Sequence, residues 1–258
     1  MDQFLKIAVE AAKEAGKIQL KHRNHVGKIY YKGDINLVTE VDLLCEKKII
    51  EIITNNYPEH SILAEEKGEA LTGSDYKWII DPIDGTVNYA HDFPCYCVSI
   101  ALEYKKDVLI GVVYQPVLNE LFTTQKGKGA FLNGNKISVS KSNRLKDSLL
   151  TTGFAYDVHD SEIDNIDHFT NFIKRAQAIR RPGSAAMDLC YVAMGRFDGF
   201  WELKLHPWDV AAGVLLVQEA GGKVSGIGGE DYSIYSKNIS ASNGLIHQEM
   251  ANILNIKK

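Results

Sequence analysis

The stretch Trp78-Ile79-Ile80-Asp81-Pro82-Ile83-Asp84-Gly85-Thr86 constrains this chain more than any other. Trp78, Ile79 and Ile80 suit a short buried strand. Asp81 stands where that strand is expected to end, and Pro82 fixes φ while withdrawing a backbone donor. Asp84-Gly85 is a turn pair, and Thr86 is placed to open a helix. Two carboxylates therefore sit on a sharp strand-to-helix bend beside the N–H groups of a helix start. A helix start favours anions such as phosphate, and paired carboxylates favour a hard cation such as Mg²⁺. The same residues also fit a plain capped turn with both carboxylates bonded to local backbone.

The 258 residues suffice for one large domain or two closely joined halves, expected at 1–140 and 141–258. A net charge of -4 with no long basic run argues against nucleic acid as the main partner. It leaves room for a small phosphorylated substrate, which needs only a local site. Cys45, Cys95, Cys97 and Cys190 form no C-x-x-C pair and read as reduced thiols. The start of the chain lacks the apolar core of a signal peptide, and no apolar run is long enough to span a membrane. A cytoplasmic protein without a membrane partner is expected.

Along the chain, Phe4, Leu5, Ala8, Ala11, Ala12, Ala15 and Ile18 recur at helical spacing. Lys32-Gly33-Asp34 reads as a loop, and Thr39 opens a second helix through Leu43, Leu44, Ile49, Ile50 and Ile53. Ser61 to Ala64, Cys95 to Glu103, Val108 to Gln115 and Glu120 to Thr124 read as strands. Asn133-Gly134 between apolar residues predicts a hairpin. The first half thus reads as two helices plus an antiparallel sheet. From about residue 140 strands and helices alternate. Strands are expected at Leu149 to Gly153, Ile179 to Arg181, Gly199 to Leu203 and Ile239 to Ala241. Helices are expected over 162–176, Ser184 to Met194 and Trp208 to Ala220, with a loop from Gly226 to Lys237. That pattern predicts a second sheet covered by helices.

Four further acids stand at transitions between elements. Asp42 completes a capping box with Thr39, Glu65 and Glu66 follow a strand, and Asp209 follows Pro207-Trp208 at a helix start. Each has a sufficient structural role alone. Together they lie where open α/β folds build sites. Such a grouping suits phosphoryl transfer, in which two cations roughly 4 Å apart activate water and neutralise the phosphate. No nucleophilic Ser or Cys motif is evident.

These residues resemble the inositol monophosphatase family of magnesium-dependent, lithium-sensitive phosphatases. The resemblance rests on Asn36-Leu37-Val38-Thr39-x-x-Asp42, Ile62-Leu63-Ala64-Glu65-Glu66 and the Trp78–Thr86 stretch. It continues through Pro182-Gly183-Ser184-Ala185-Ala186 and through Trp201-Glu202 to Pro207-Trp208-Asp209-Val210-Ala211-Ala212-Gly213. It implies a layered α-β-α-β-α sandwich with an antiparallel N-terminal sheet and a mixed C-terminal sheet, assembled as a homodimer. By the same resemblance, Glu65, Asp81 and the Ile83 carbonyl would hold one Mg²⁺, and Asp81, Asp84 and Asp209 a second. Glu65 would assist a third through water. Asp42 and Thr86 would orient and deprotonate the attacking water, and Gly85 and Thr86 would receive the phosphate. Ala185 and Glu202 correspond to hydroxyl-contacting positions, and Lys32 to a lysine near the third ion.

The expected activity is hydrolysis of a small phosphorylated polyol, inositol monophosphate first, by activated water without a covalent intermediate. Relatives with the same metal core act on fructose 1,6-bisphosphate, NADP or 3′-phosphoadenosine 5′-phosphate. Two rivals remain open: a D-x-D-type phosphatase with an aspartyl-phosphate nucleophile, and a regulatory protein that keeps the fold and binds a partner. Phe154 to His159 aligns poorly with the family and receives no assignment. Trp78, Trp201 and Trp208 are expected in the core, and His91 and His206 as satisfied or solvated side chains.

Overall fold

In a computed structural model, residues 3–23, 29–31 and 37–256 are described. His25, Asn36, Lys32 and the loop at Lys32-Gly33-Asp34 lie outside these residues. Helix α1 (Gln3–His22) buries Leu5, Ile7, Ala8, Ala11, Ala12 and Ala15 along one face. Strands β1 (Ile29–Tyr31) and β2 (Leu37–Thr39) form an antiparallel pair. It feeds α2 (Glu40–Asn56), whose N-cap is Thr39. The predicted capping box is present, with the Thr39 hydroxyl and N–H both bonded to Asp42 Oδ2. Leu43 and Leu44 are exposed, because the inner face of α2 is set by Val41, Cys45, Ile49 and Ile53.

The large sheet comprises β3 (Ser61–Ala64), β4 (Gly68–Ala70), β5 (Tyr76–Asp84), β6 (Cys97–Tyr104), β7 (Asp107–Gln115), β8 (Glu120–Gln125), β9 (Ala130–Leu132) and β10 (Asn135–Ile137). Its order is β10-β9-β8-β7-β6-β5-β3-β4. The expected all-antiparallel pairing needs one correction: β3 and β5 run parallel, because the chain between them makes the short edge strand β4. The Asn133-Gly134 hairpin forms as predicted, with φ of 49° and 81° at its two turn residues. A five-residue helix, α3 (Thr86–Ala90), joins β5 to β6.

The small sheet comprises β11 (Leu149–Thr152), β12 (Ala178–Arg180), β13 (Gly199–Glu202), β14 (Lys223–Ser225) and β15 (Ile239–Ser242), in the order β12-β11-β13-β15-β14. It is mixed, with β11 parallel to both β12 and β13 and the remaining pairs antiparallel. Its helices are α4 (Ile166–Ile173), α5 (Ala185–Ala193), α6 (Pro207–Glu219) and α7 (His247–Leu254). The helix predicted over 162–176 is shorter because Asn165 adopts φ 69°, outside helical space. Its buried amide is committed elsewhere, donating to Thr152 Oγ1 and the Gly153 carbonyl while accepting from Trp201 Nε1. Strands β1, β2, β4 and β14 and helix α7 went unread in the sequence. The four strands have three residues each, too few for a period to register.

Three cores stack these elements into the expected α-β-α-β-α order. Trp78, Ile80, Val98 and Val112 pack against α1 and α2. On the other face, Ile79, Ala101, Val113 and Phe122 pack against α5 and α6, which also meet Phe200, Ile239 and Ala241 of the small sheet. Leu150 and Trp201 pack against Phe172 of α4 and Met250 and Ile253 of α7. The unbroken apolar run at Trp78–Ile80 is thus explained, since β5 is buried on both faces. Among the described residues no helix is long and apolar enough to cross a membrane.

The central layer is close. A Cβ on Gly111 of β7 would lie 2.9 Å from the Ala212 carbonyl oxygen and 3.0 Å from its Cα on α6. Backbone atoms cannot rotate away, so Gly111→Ala is expected to cost about 1–3 kcal/mol of stability. Urea unfolding of the variant beside the wild type measures it.

Candidate active site

The organising stretch folds differently from its simplest reading. Strand β5 does not end at Asp81 but runs on through Pro82 to Asp84. Pairing with β6 is regular as far as Asp81 opposite Ser99, and it resumes with Asp84 opposite Cys97. Three steps along β5 therefore match two along β6, and the extra residue is a β-bulge. In a regular strand, side chains three apart face opposite sides. The bulge cancels that, and Asp81 and Asp84 both line one cavity of about 690 Å³. Pro82 fits at the bulge because no ladder bond is asked of it.

Each acid is fixed by local backbone. The Ile83 N–H donates to Asp81 Oδ1 at 3.0 Å. Asp84 Oδ2 accepts from Ser184 Oγ and from the Ala186 N–H, both at 2.7 Å, so this carboxylate caps the start of α5. Asp209, in the first turn of α6, accepts the His206 N–H on Oδ2 at 2.6 Å. Glu65 follows β3, and its N–H reaches the Ile80 carbonyl at 3.2 Å, which ties it to β5. Among the described residues, these hydrogen bonds engage one oxygen each of Asp81, Asp84 and Asp209.

Glu65, Asp81, Ile83, Asp84, Gly85, Thr86, Ala185, Glu202 and Asp209, all singled out in the sequence, line the one cavity. Asp42 does not line it. It lies fully buried behind Thr86, whose hydroxyl is 3.1 Å from Asp42 Oδ1 and 3.0 Å from the Ile83 carbonyl, within donating reach of both. Glu66 does not line the cavity; its backbone N–H donates to Glu46 Oε2 at 2.8 Å. Helix α3 is short, and its N-cap Gly85 has φ 97°. A Cβ there would meet the Cys95 carbonyl oxygen at 2.9 Å, so glycine is required by conformation and by space.

This arrangement coincides with what comparison of the whole sequence finds. The profile of the inositol monophosphatase family matches residues 1–257. The chain belongs to the inositol monophosphatase family. An inositol monophosphatase of Dictyostelium discoideum is 43% identical over 98% of this chain and 96% of its own. A protein of Pseudomonas aeruginosa named Nus factor SuhB is 42% identical over 94% of this chain and 92% of its own. The solved inositol monophosphatase of Anabaena shares 43% identity with a TM-score of 0.90, covering 97% of this chain and 94% of that one. As a family member the chain is a phosphoric monoester hydrolase.

This acid-lined cavity is electrostatically costly as it stands. Burial raises Asp81 well above the ordinary carboxylate range, and the charges of Glu65, Asp84 and Asp209 raise it further. Burial and then Asp84 raise Asp209 in the same way. Asp84 is pushed by burial to about 6, against the opposing bonds from Ser184 and Ala186. Glu202 is pushed to about 8 by burial and by Asp84, with Arg181 acting against. Among the described residues no three acid, histidine or cysteine side chains form a finished cation cage. Instead the acids stand round the cavity as hard oxygen donors. That donor set fits a divalent cation of the Mg²⁺ kind and fits nothing soft.

Several contributors were not visible in the sequence. Gly153 lies under Glu202, since a Cβ there would fall 2.2 Å from Oε1. Asn88 Nδ2 donates to the carbonyls of Cys95 and Pro182, binding α3 to the start of α5. Trp208 is half-buried on the cavity wall, stacked on His206 at 4.7 Å, and is not a core residue like Trp78 and Trp201. The four cysteines are free; three are buried and Cys95 is partly so.

Asp42 and Asp84 each ionise near 6 in the folded chain, above the ordinary 3.8. Between those values the folded state keeps protons that the unfolded state has lost. Stability present below pH 3.8 is therefore lost as pH rises through about 6. Metal-free protein is expected to unfold at lower urea at pH 7 than at pH 5. Asp84→Asn should shrink that difference by about 1 kcal/mol; an unchanged difference would show that Asp84 is not the group concerned.

Proposed function

We propose that this protein hydrolyses a small phosphorylated polyol, inositol monophosphate first, with magnesium and an activated water, and without a covalent intermediate. The observation that carries the reading is the bulge in β5, which aims Asp81 and Asp84 into the cavity shared with Glu65 and Asp209. On this reading Glu65, Asp81 and the Ile83 carbonyl would hold one Mg²⁺, and Asp81, Asp84 and Asp209 a second. Glu65 would serve a third through water. Bound there, magnesium supplies Lewis acidity and the positive charge that a phosphate needs in order to enter a carboxylate-lined cavity.

The chain's own residues do the rest. Asp42 holds the Thr86 hydroxyl at 3.1 Å, an arrangement suited to orienting a water and accepting its proton along the Thr86–Asp42 pair. The N–H groups of Gly85 and Thr86 would receive phosphate oxygens. Ala185 and Glu202 would contact the polyol hydroxyls. With its carboxyl raised to about 8, Glu202 offers a protonated donor near neutrality. An aspartyl-phosphate route is disfavoured, because Asp81 Oδ1 is tied to its own turn and the other acids crowd around it. The chain is proposed to work in the cytoplasm as a homodimer.

A regulatory reading has its own support in the similarity to a relative named Nus factor SuhB. It is separated from the first by phosphate release from inositol 1-phosphate, fructose 1,6-bisphosphate, NADP and 3′-phosphoadenosine 5′-phosphate, with and without magnesium and lithium. Magnesium-dependent, lithium-inhibited release with preference for the inositol ester is expected. Asp84→Asn should lower kcat roughly 10²-fold or more with the fold retained, because it removes charge from electrostatic catalysis. Thr86→Ala should fall less, since water can stand in for its hydroxyl. Wild-type turnover by Asp84→Asn would end the metal reading. Full rescue of a null strain by that inactive variant would favour partner binding.

A further inference from the structure

The segment between β11 and α4 runs along the cavity, with Phe154, Ala155, Tyr156 and Asp157 in its wall. It is fastened at several points. Phe154 meets Phe169 of α4, their ring centres 5.8 Å apart. The Val158 N–H closes a turn on the Ala155 carbonyl at 3.1 Å, and the Ser161 N–H reaches the Asp157 carbonyl at 3.0 Å. Lys204 lies just past β13, the strand next to β11 in the small sheet. Its Nζ lies 2.7 Å from Asp157 Oδ2 and 2.6 Å from Ser161 Oγ.

Lys204 is aimed there by a backbone conformation uncommon for its type, φ 62°. Neighbouring bonds hold that conformation: its N–H donates to Asn238 Oδ1 at 3.2 Å, and the Leu205 N–H to the Lys237 carbonyl at 2.8 Å. Left-handed residues held in place by their surroundings concentrate at functional sites.

What this fastening presents is Tyr156. It lines the cavity yet is 45% exposed, so its ring fills no core. Among the described residues no hydrogen bond is made by its hydroxyl. Burial first, and then the field of Glu65, Asp84, Asp209 and Asp81, keep its phenol protonated. Those are the acids of the phosphate end.

We propose that Tyr156 contacts substrate, its hydroxyl donating a hydrogen bond to an oxygen of the bound phosphate, and that Lys204 is the positioning residue holding it there. The proposal rests on the phosphatase reading above. A dianion entering among carboxylates gains from every neutral donor, and this hydroxyl would add to the N–H groups of Gly85 and Thr86 from another wall of the cavity.

The test is calorimetric titration of the purified protein with inorganic phosphate in magnesium chloride, beside kinetics on inositol 1-phosphate. Tyr156→Phe is expected to weaken phosphate roughly tenfold, the scale of one hydrogen bond to a charged group, and to raise KM. Its melting temperature should not move. Lys204→Met should weaken phosphate in the wild-type background but add little to Tyr156→Phe, and Lys204→Arg should restore binding. Phosphate affinity of Tyr156→Phe within twofold of wild type overturns the contact. Additive losses in the double variant overturn the positioning role and make Lys204 an independent charge. Wild-type protein that binds phosphate with magnesium but hydrolyses no ester sinks the phosphatase reading while the binding data still decide Tyr156. Wild-type protein that binds no phosphate overturns both.

Discussion

Side chains three apart on a regular strand point to opposite faces, so Asp81 and Asp84 share a cavity only because β5 carries one residue more than β6 between their partners. Much else follows from that displacement. It carries the chain from a strand buried on both faces to a short helix whose first residues line the same cavity. It turns Asp84 toward α5, where Ser184 and Ala186 hold one of its oxygens. Because α5 packs against both sheets, that bond joins the site to the central layer of the fold. Asp209 enters from α6, the other helix of that layer. The site is thus assembled between the two sheets, and the close approach of Gly111 to Ala212 sets how near α6 comes to the large sheet.

The same geometry explains why the acids are so tightly held. Repulsion among Asp81, Asp84, Glu65 and Asp209 acts at short range with little water to screen it, and every one of the raised carboxyls has burial as its first cause. Free to rotate, such side chains would turn toward solvent. Here a backbone N–H fixes one oxygen each of Asp81, Asp84 and Asp209. The folding energy of ordinary helix capping and turn formation is set against charge repulsion. A capping role and a functional role for these residues are therefore not alternatives: the cap is the means by which the carboxylate is aimed.

What the sequence made legible was local chemistry. Thr39 with Asp42 and Asn133 with Gly134 each specify their structure within a few residues, and each formed where it was expected, as did the buried strand at Trp78 to Ile80. The end of β5 was misread by three residues, because Pro82 looks like a terminator when the pairing partner is unknown. Leu43 and Leu44 fitted a helical period but face outward, since only the packing of α1 decides which stripe of α2 is inner. Gly153 beneath Glu202, Ser184 against Asp84 and Lys204 against Asp157 are juxtapositions of residues 49, 100 and 47 apart. No local period or turn signal encodes such pairs.

Phe154 to His159 shows the same limit at the level of function. Its residues carry no motif and no period, and nothing in the segment alone marks Tyr156 as more than a loop aromatic. Its meaning comes from Lys204, which follows the neighbouring strand β13, and from four acids drawn from other elements. The elements that supply the acids are built on both core layers and have little freedom to vary. The Tyr156 segment is fastened by Lys204 to Asp157 and Ser161, by one ring contact and by its own turn bonds. A wall held by so few bonds can change its residues without disturbing the carboxylates. A contact from that wall to the phosphate would add to affinity for any phosphate ester without constraining the catalytic acids.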